Sequence, residues 1–500
     1  MFEIKNISIQ VKERYLVKNL SFTVNPKDKL AIIGEEGNGK STLLKALAGK
    51  LDYGEVTGGV SAKNHKIGYL EQSMSKEAEE QTPLEYLFQT EEDYYHNIGK
   101  FYKEKERFHI TEEMLDRKIK TLSGGEKVKL AILKLILEEN DILLLDEPTN
   151  DLDIETLEWL ETFINESENP ILYVSHDETL LSRTSTMILH LEQIKHKTEC
   201  RHTLLKEDYD TYVAERLAKL SKQTQLAKNE KRDWLAKEER LTKVLQKVEY
   251  QQETISRSNP HGGQLLKKKM HSLKSQEKKL DKIELTEIPD VEESINFFFE
   301  PVSLPKSKQI LYLSLPELKV QNNILAQNIE LEVTGSAHLC IIGNNGVGKS
   351  TLIKEIKKQL APRTDIVMGY MPQDYEEILK DYENVLDFIA QTKNKEEITK
   401  ARMILGNMKF TREEMTGKIS DLSNGSKAKL ILTKLVLEKC DVLLLDEPTR
   451  NVSTLSNPVI RKALKEYSGC IISVSHDRKY IEEVIDTVYV LTKEGLKKKQ

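Results

Sequence analysis

The chain says the same thing twice, and that constrains its fold more than any other feature. KLAIIGEEGNGKSTLLKALAG at 29–49 returns as HLCIIGNNGVGKSTLIKEI at 338–356, and ILLLDEPTNDLD at 142–153 returns as VLLLDEPTRNVS at 442–453. VSHD at 174–177 returns at 474–477. The spacing is kept along with the order: Lys40 to Lys349 is an offset of 309, while Ser123 to Ser423, Asp146 to Asp446 and His176 to His476 are each offset by 300. Whatever one half folds into, the other folds into as well. With 500 residues, the chain is also too long for a single hydrophobic core.

Each half alternates short apolar runs with amphipathic stretches, the pattern of an α/β domain with a largely parallel sheet. LAIIG, ILLLDE and ILYVSH, with their second-half equivalents, are expected to be strands buried on both faces. Ligands of such sheets gather at strand ends, which is where the repeated polar strings fall.

Between the halves the composition changes. From about 206 to 284, glycine and proline vanish except at Pro260-His-Gly-Gly263, and Lys, Glu, Gln and Leu dominate. Apolar residues recur at three- to four-residue intervals: Leu220, Ala227, Trp234, Leu241, Leu245 and Val248, then Leu266, Met270, Leu273 and Leu280. That spacing predicts two long helices folded back on each other. The first, if continuous over 208–256, would run roughly 70 Å. Proline and two glycines at 258–263 are expected to stop both helices and form the tip. The expected domains are therefore 1–205, a helical hairpin over 206–284, and 285–500.

Gly34-Glu-Glu-Gly-Asn-Gly-Lys40-Ser41-Thr42 and Gly343-Asn-Asn-Gly-Val-Gly-Lys349-Ser350-Thr351 each lie between a strand and a helix. Such a P-loop turns its backbone N–H groups inward around phosphate oxygens and adds the positive end of the following helix. Gly34, Gly37, Asn38 and Gly39, with Gly343, Gly346, Val347 and Gly348, are the loop candidates. Lys40 and Lys349 would neutralise β- and γ-phosphates, and Ser41 and Ser350 would hold Mg²⁺. Asp146 and Asp446 end apolar strands and fit as the carboxylates that organise the metal. Glu147 and Glu447 follow them as candidate general bases, each orienting a water towards the γ-phosphate. His176 and His476 end later strands, where they would meet that phosphate or that water.

Leu122-Ser-Gly-Gly-Glu126 narrows the reading, because the string resembles the signature of the ATP-binding cassette family. The resemblance spans both halves and implies two tandem P-loop cassettes paired head to tail, with two ATPs between them. It implies that Ser123, Gly124, Gly125 and Glu126 complete the site of the second P-loop, and that Ser423, Asn424 and Gly425 complete the first. Gln72 and Gln373 match the glutamine that reaches the metal and the attacking water. The two sites are expected to differ. The second signature reads Leu422-Ser-Asn-Gly-Ser426, and Arg450-Asn-Val-Ser453 replaces Asn150-Asp-Leu-Asp153. Asn424 would add bulk where backbone should approach phosphate. Tyr15, 19 residues before Gly34, is the candidate adenine platform, or else ordinary core; Ile324 stands at the same distance before Gly343.

The rest of the composition says what kind of cassette protein this is. There is no basic and apolar leader and no run of about 18 apolar residues, so a cytoplasmic protein without its own membrane path is expected. Cys200, Cys340, Cys440 and Cys470 are scattered without metal-ligand spacing, more in keeping with buried apolar positions than with reactive thiols. Two cassettes joined by a long charged helical connector resemble the ABC-F proteins. That resemblance implies a ribosome partner at the tRNA exit site, contacts to rRNA and P-site tRNA, and a role in translation or in antibiotic resistance. Charge agrees with RNA: 206–284 holds 19 Lys+Arg against 13 Asp+Glu, in a chain whose net charge is −6. Arg257, Lys267, Lys268, Lys269 and Lys274 are the candidate phosphate contacts, although a solvated Lys/Glu-rich coiled coil has a similar composition. Rival classes are the ATPase subunit of a transporter, which needs separate membrane partners, and a DNA-repair ATPase, which usually carries longer coils.

Overall fold

A computed structural model describes residues 2–499 except 62–64, 151, 195–198, 255–259, 281–282, 284–297, 322 and 391–393. Two compact units result: Met1–Tyr209 together with Glu292–Gln500, and Asp210–Val291. The first holds both halves of the repeat; the second is the connector.

In the first half a six-stranded sheet runs in the order Ile67–Leu70, Ile142–Asp146, Ile171–Val174, Lys29–Ile33, Met187–Ile194, Glu199–Leu205. The first five are parallel and the last is antiparallel to its neighbour. The second half repeats the order with Met368–Met371, Val442–Asp446, Cys470–Val474, His338–Ile342, Thr487–Thr492 and Gly495–Lys498. Lys29–Ile33, Ile142–Asp146 and their counterparts are buried at every position, which is why their sequences are continuous apolar runs without alternation. The expected α/β fold of two tandem P-loop cassettes is what the chain adopts.

The halves differ outside these sheets. In the first, Phe2–Val11 pairs with both Arg14–Val24 and Glu55–Ser61 in a three-stranded antiparallel sheet; in the second, Gln309–Val320 and Asn323–Thr334 pair as two strands. The offset of the repeat falls from 309 to 300 between P-loop and signature. That shortening falls where the third strand of the first half lies.

The two cassettes face each other through ion pairs in which the first supplies acids and the second bases. Arg461 on the helix Asn457–Lys465 donates from Nη1 and Nη2 to the two carboxylate oxygens of Glu178, at 2.6 and 3.1 Å, with both side chains buried. Arg478 reaches Glu161 at 2.5 Å and Asp177 at 3.2 Å. By the 300-residue offset, Glu161 corresponds to Arg461 and Glu178 to Arg478. The two contacts are thus one contact repeated with its signs exchanged.

The connector holds helices Tyr209–Thr254 and Pro260–Leu280, of 46 and 21 residues. The first extends roughly 70 Å at 1.5 Å per residue. The apolar stripe read from sequence is the inner face: Ala227, Val248 and Leu273 are buried, and Trp234 Nε1 donates to the carbonyl of Leu280 at 3.1 Å. One expectation fails. Gly262 and Gly263 do not stop the second helix but lie inside its first turn, with Pro260 as its first residue. Proline has no N–H to lose there and its φ is already helical, while a glycine in a helix costs only about 1 kcal/mol. Arg257, Ser258 and Asn259 lie outside the described residues.

Candidate nucleotide sites

Each P-loop is shaped by what passes beneath it. The helix Lys40–Leu47 starts at Gly39, whose φ is +92°, and a β-carbon there would come within 2.9 Å of Leu16. The helix Lys349–Leu360 starts the same way at Gly348, φ +102°, over Leu318 and Leu325. A left-handed backbone pressed onto another strand leaves room only for glycine. At the centre of each loop the lysine ammonium donates to loop carbonyls: Lys40 to Gly34 and Glu35 at 2.7 and 2.9 Å, Lys349 to Gly343 and Asn344 at 2.7 and 3.0 Å. Burial lowers the pKa of both lysines. Asn38 closes the first loop by donating to the carbonyl of Leu191 at 2.9 Å.

The candidate metal-side residues lie together. Ser41 Oγ donates to Asp146 Oδ1 at 2.8 Å and accepts from Gln72 Nε2 at 3.3 Å. Tyr69, which the sequence reading missed, donates to Asp146 Oδ2 at 3.0 Å. In the second half Ser350 Oγ lies 3.5 Å from Gln373 Oε1, and the buried Asp446 Oδ1 has no hydrogen-bond partner. Burial raises the pKa of both aspartates. An orphaned buried carboxylate oxygen beside a serine hydroxyl and an amide oxygen fits Mg²⁺, which usually takes one or two carboxylates and leaves its other positions to water and phosphate.

Glu147 and Glu447 have φ of +50° and +55°, and their N–H groups donate to Val174 and Val474 at 3.0 and 2.9 Å. The sequence shows no sign of this strain. Their surroundings differ. Glu147 lies 3.4 Å from His176 Nε2 and accepts from Asn150 Nδ2 at 2.8 Å. Burial would raise its pKa, but His176, Asn150 and Lys40 together hold it down at about 2. Glu447 stands 3.9 Å from His476 Nε2 and accepts from Ser475 Oγ and the His476 N–H, both at 3.3 Å. Burial, then the charge of Asp446, pushes it up to about 8. Burial likewise lowers His476 to about 4.

The signatures cap their helices differently. Ser123 and Glu126 form a reciprocal capping box on the helix Gly124–Leu137, with Ser123 N–H donating to Glu126 at 2.7 Å. A side chain at Gly125 would strike Thr156, so the glycine is fixed by packing. On the helix Asn424–Leu437 Ser423 caps alone, since Ser426 has no carboxylate to return. An acid comes from the other cassette instead: Glu36 of the first P-loop accepts from Gly425 N–H at 2.5 Å. Its neighbour Glu35 lies 3.7 Å from Lys429. Asn424 is exposed and lines a separate cavity with Tyr375, Lys427 and Asn451.

A cavity of about 470 Å³ opens between the cassettes at the second P-loop. Gly346, Lys349, Ser350, Gln373, Asp446, Glu447 and His476 line one side; Gly124, Asn150 and Leu157 of the first cassette line the other. The second P-loop and Gly124 of the first signature therefore line one cavity. Ile324 does not line it; its neighbour Leu325 does, because adjacent strand residues point to opposite faces. Tyr15 is 42% exposed, with the Lys18 ammonium 5.3 Å from its ring centre. Val347 packs on the second core, and Thr42 and Thr351 lie in the first turns of the P-loop helices.

Two phosphate cradles, each facing a helix N-terminus of the other half, define a tandem-cassette nucleotide-binding protein. The family model described as ABC transporter matches residues 17–150 and 326–450, more than half of the chain, and the chain belongs to that family. Its tandem ATP-binding domains are homologous to ABC-F proteins and imply an ATPase. The chain is 27% identical to the putative ATP-binding protein YdiF of Bacillus subtilis, over 95% of this chain and 78% of that one. It is 25% identical to ABC transporter F family member 5 of Arabidopsis thaliana, over 97% and 74%. Its fold is similar to that of the archaeal ribosome recycling factor aABCE1 in complex with the ribosomal stalk protein aP1, with a TM-score of 0.61 at 18% identity, covering 98% and 89%. Among the described residues no helix is long and apolar enough to cross a membrane.

Proposed function

We propose that this protein is a Mg²⁺-dependent ABC-F ATPase of the cytoplasm that binds the ribosome at the tRNA exit site and protects it from an antibiotic. The hairpin carries the reading. Two helices of 46 and 21 residues are far more than a linker between cassettes needs, and Lys267, Lys268, Lys269 and Lys274 stand exposed on the second. A row of exposed lysines suits RNA phosphate. The ribosomal context of aABCE1 agrees with such a target. In this reading the hairpin contacts rRNA and P-site tRNA near the peptidyl-transferase centre, and ATP hydrolysis releases the protein. Glu147 and Glu447 orient the attacking water, His176 and His476 hold the γ-phosphate side, and Ser41, Gln72 and Asp146 with Ser350, Gln373 and Asp446 hold the metal. Mg²⁺ when bound neutralises charge on the β- and γ-phosphates. The chain acts as a monomer, with its cassettes paired to each other, because like halves would oppose Glu161 to Glu178 or Arg461 to Arg478.

Co-sedimentation of the Glu147→Gln/Glu447→Gln chain with ribosomes in ATP tests this. Binding is expected, and changing Lys267, Lys268 and Lys269 to Ala should weaken it and flatten its salt dependence. Removing residues 259–263 should spare binding and abolish antibiotic protection. Absence of ribosome binding would overturn the reading.

A further inference from the structure

The first site carries an acid where the second carries an amide. By the 309-residue P-loop offset, Glu36 corresponds to Asn345. Asn345 lines the open cavity of the second site, whereas Glu36 reaches across the cassette interface and accepts from Gly425 N–H at 2.5 Å. Gly425 is buried in the first turn of a 14-residue helix, and a β-carbon there would come within 2.8 Å of the same Glu36 oxygen. In the first signature an acid comes from within, but Glu126 accepts from the N-cap Ser123 N–H, and among the described residues no carboxylate accepts from Gly125 N–H. The second signature has Ser426 in place of Glu126 and so carries no acid of its own. The positive end of its helix, capped at Ser426 N–H by Ser423, takes the Glu36 carboxylate at Gly425.

We infer that Glu36 is a specificity-determining residue, a tethered carboxylate that stands where a γ-phosphate would bind the second signature and makes the first site discriminate against nucleoside triphosphate in favour of diphosphate. Sandwiched triphosphate presents its terminal oxygens to the signature helix across the interface; a diphosphate ends short of it. At the first site a triphosphate must displace Glu36 from Gly425 and then share the cleft with its charge. A diphosphate leaves the Glu36 contact in place, so the cassettes stay paired there without a γ-phosphate. At the second site the corresponding Asn345 carries no charge to repel a triphosphate. The first P-loop also carries Glu35, whose charge is met by Lys429, so Glu36 is the acid that the incoming phosphate confronts.

This inference rests on reading both clefts as ATP sites, and its test uses the isolated full-length protein, so that it stands or falls apart from any ribosome partner. Calorimetric titrations with ADP and with the non-hydrolysable AMP-PNP, in Mg²⁺, compare chains in which Lys349→Ala disables the second site. Glu36→Asn and Glu36→Gln should each tighten AMP-PNP by about tenfold, equivalent to 1.4 kcal/mol, and leave ADP unchanged. The reciprocal Asn345→Glu, in a chain whose first site is disabled by Lys40→Ala, should weaken AMP-PNP relative to ADP. That second variant guards against Glu36 changes that merely disturb the loop. An unchanged AMP-PNP to ADP ratio in both series, or a parallel change in both nucleotides, would overturn the inference. Absence of nucleotide binding at both sites of the unaltered chain would overturn the ATP-site reading and this inference with it.

Discussion

The two clefts between the cassettes have the same parts and different states of readiness. At the second, Asp446 keeps an oxygen without a partner, Glu447 stands 3.9 Å from its histidine, and a cavity of about 470 Å³ lies open. At the first, Asp146 is bonded to both Ser41 and Tyr69, Glu147 is held by His176 and Asn150, and Glu36 sits on the opposite signature. Both P-loop lysines are held by loop carbonyls, but the first cleft adds the contacts of Tyr69 to Asp146, Asn150 to Glu147 and Glu36 to Gly425. A duplicated enzyme can divide labour in this way: one cleft serves turnover and the other controls the pairing of the halves.

The largest effect that tests this division is loss of both general bases. Glu147→Gln with Glu447→Gln should lower steady-state ATP turnover by about 100- to 10,000-fold while nucleotide binding survives, as phosphate release assays and equilibrium titrations would show. Wild-type turnover would remove both glutamates from the chemistry. Taken singly, the variants sharpen the comparison. Glu447→Gln should be the more damaging, and the reverse order would mean that the first cleft, despite its internal contacts, is the working one.

Next in size are the paired interface contacts. Arg461→Ala leaves Glu178 buried without its bidentate partner and should cost about 3–5 kcal/mol in a denaturant titration of the full chain. Arg478→Ala should cost less, since Glu161 retains Arg183 at 3.0 Å and Asp177 retains its helix-capping bonds. Equal losses would mean that the two arms carry the same load despite their different burial. The smallest effect concerns the base. Tyr15→Ala should weaken nucleotide at the first cleft by about 0.5–1.5 kcal/mol, the worth of an aromatic stack, while Ile324→Tyr should leave the second unchanged because that side chain takes the other face of its strand, both read by titration.

Much of this was legible in the sequence because it is local. Asp146, Glu147 and His176 stand at or just past strand ends, and Lys40 and Ser41 open the helix after a glycine loop, so local sequence fixes where each side chain goes. The apolar stripe from Leu220 to Leu280 was legible for the same reason. What the sequence hid depends on contacts between distant segments. Tyr69 to Asp146 joins neighbouring strands, while Glu36 to Gly425 and Arg461 to Glu178 join different cassettes across 389 and 283 residues. The signals were nevertheless present as departures from the repeat: Glu36 against Asn345, Glu161 against Arg461, Glu178 against Arg478. Gly262 and Gly263 misled because local punctuation was given more weight than a helix that already had a proline to begin it. Ile324 misled because counting residues from the P-loop ignores which face of a strand a residue takes.

The left-handed backbone at Glu147 and Glu447 sets function against durability in this molecule. A non-glycine residue held there costs about 1–3 kcal/mol, and these two glutamates are among thirteen such positions in the described residues. Glycine at either position would relax the backbone and remove the carboxylate together. A search for hardier variants that ignored activity would therefore count among its targets the two positions where ATP turnover is expected to fail, and gains taken there would come with loss of the chemistry.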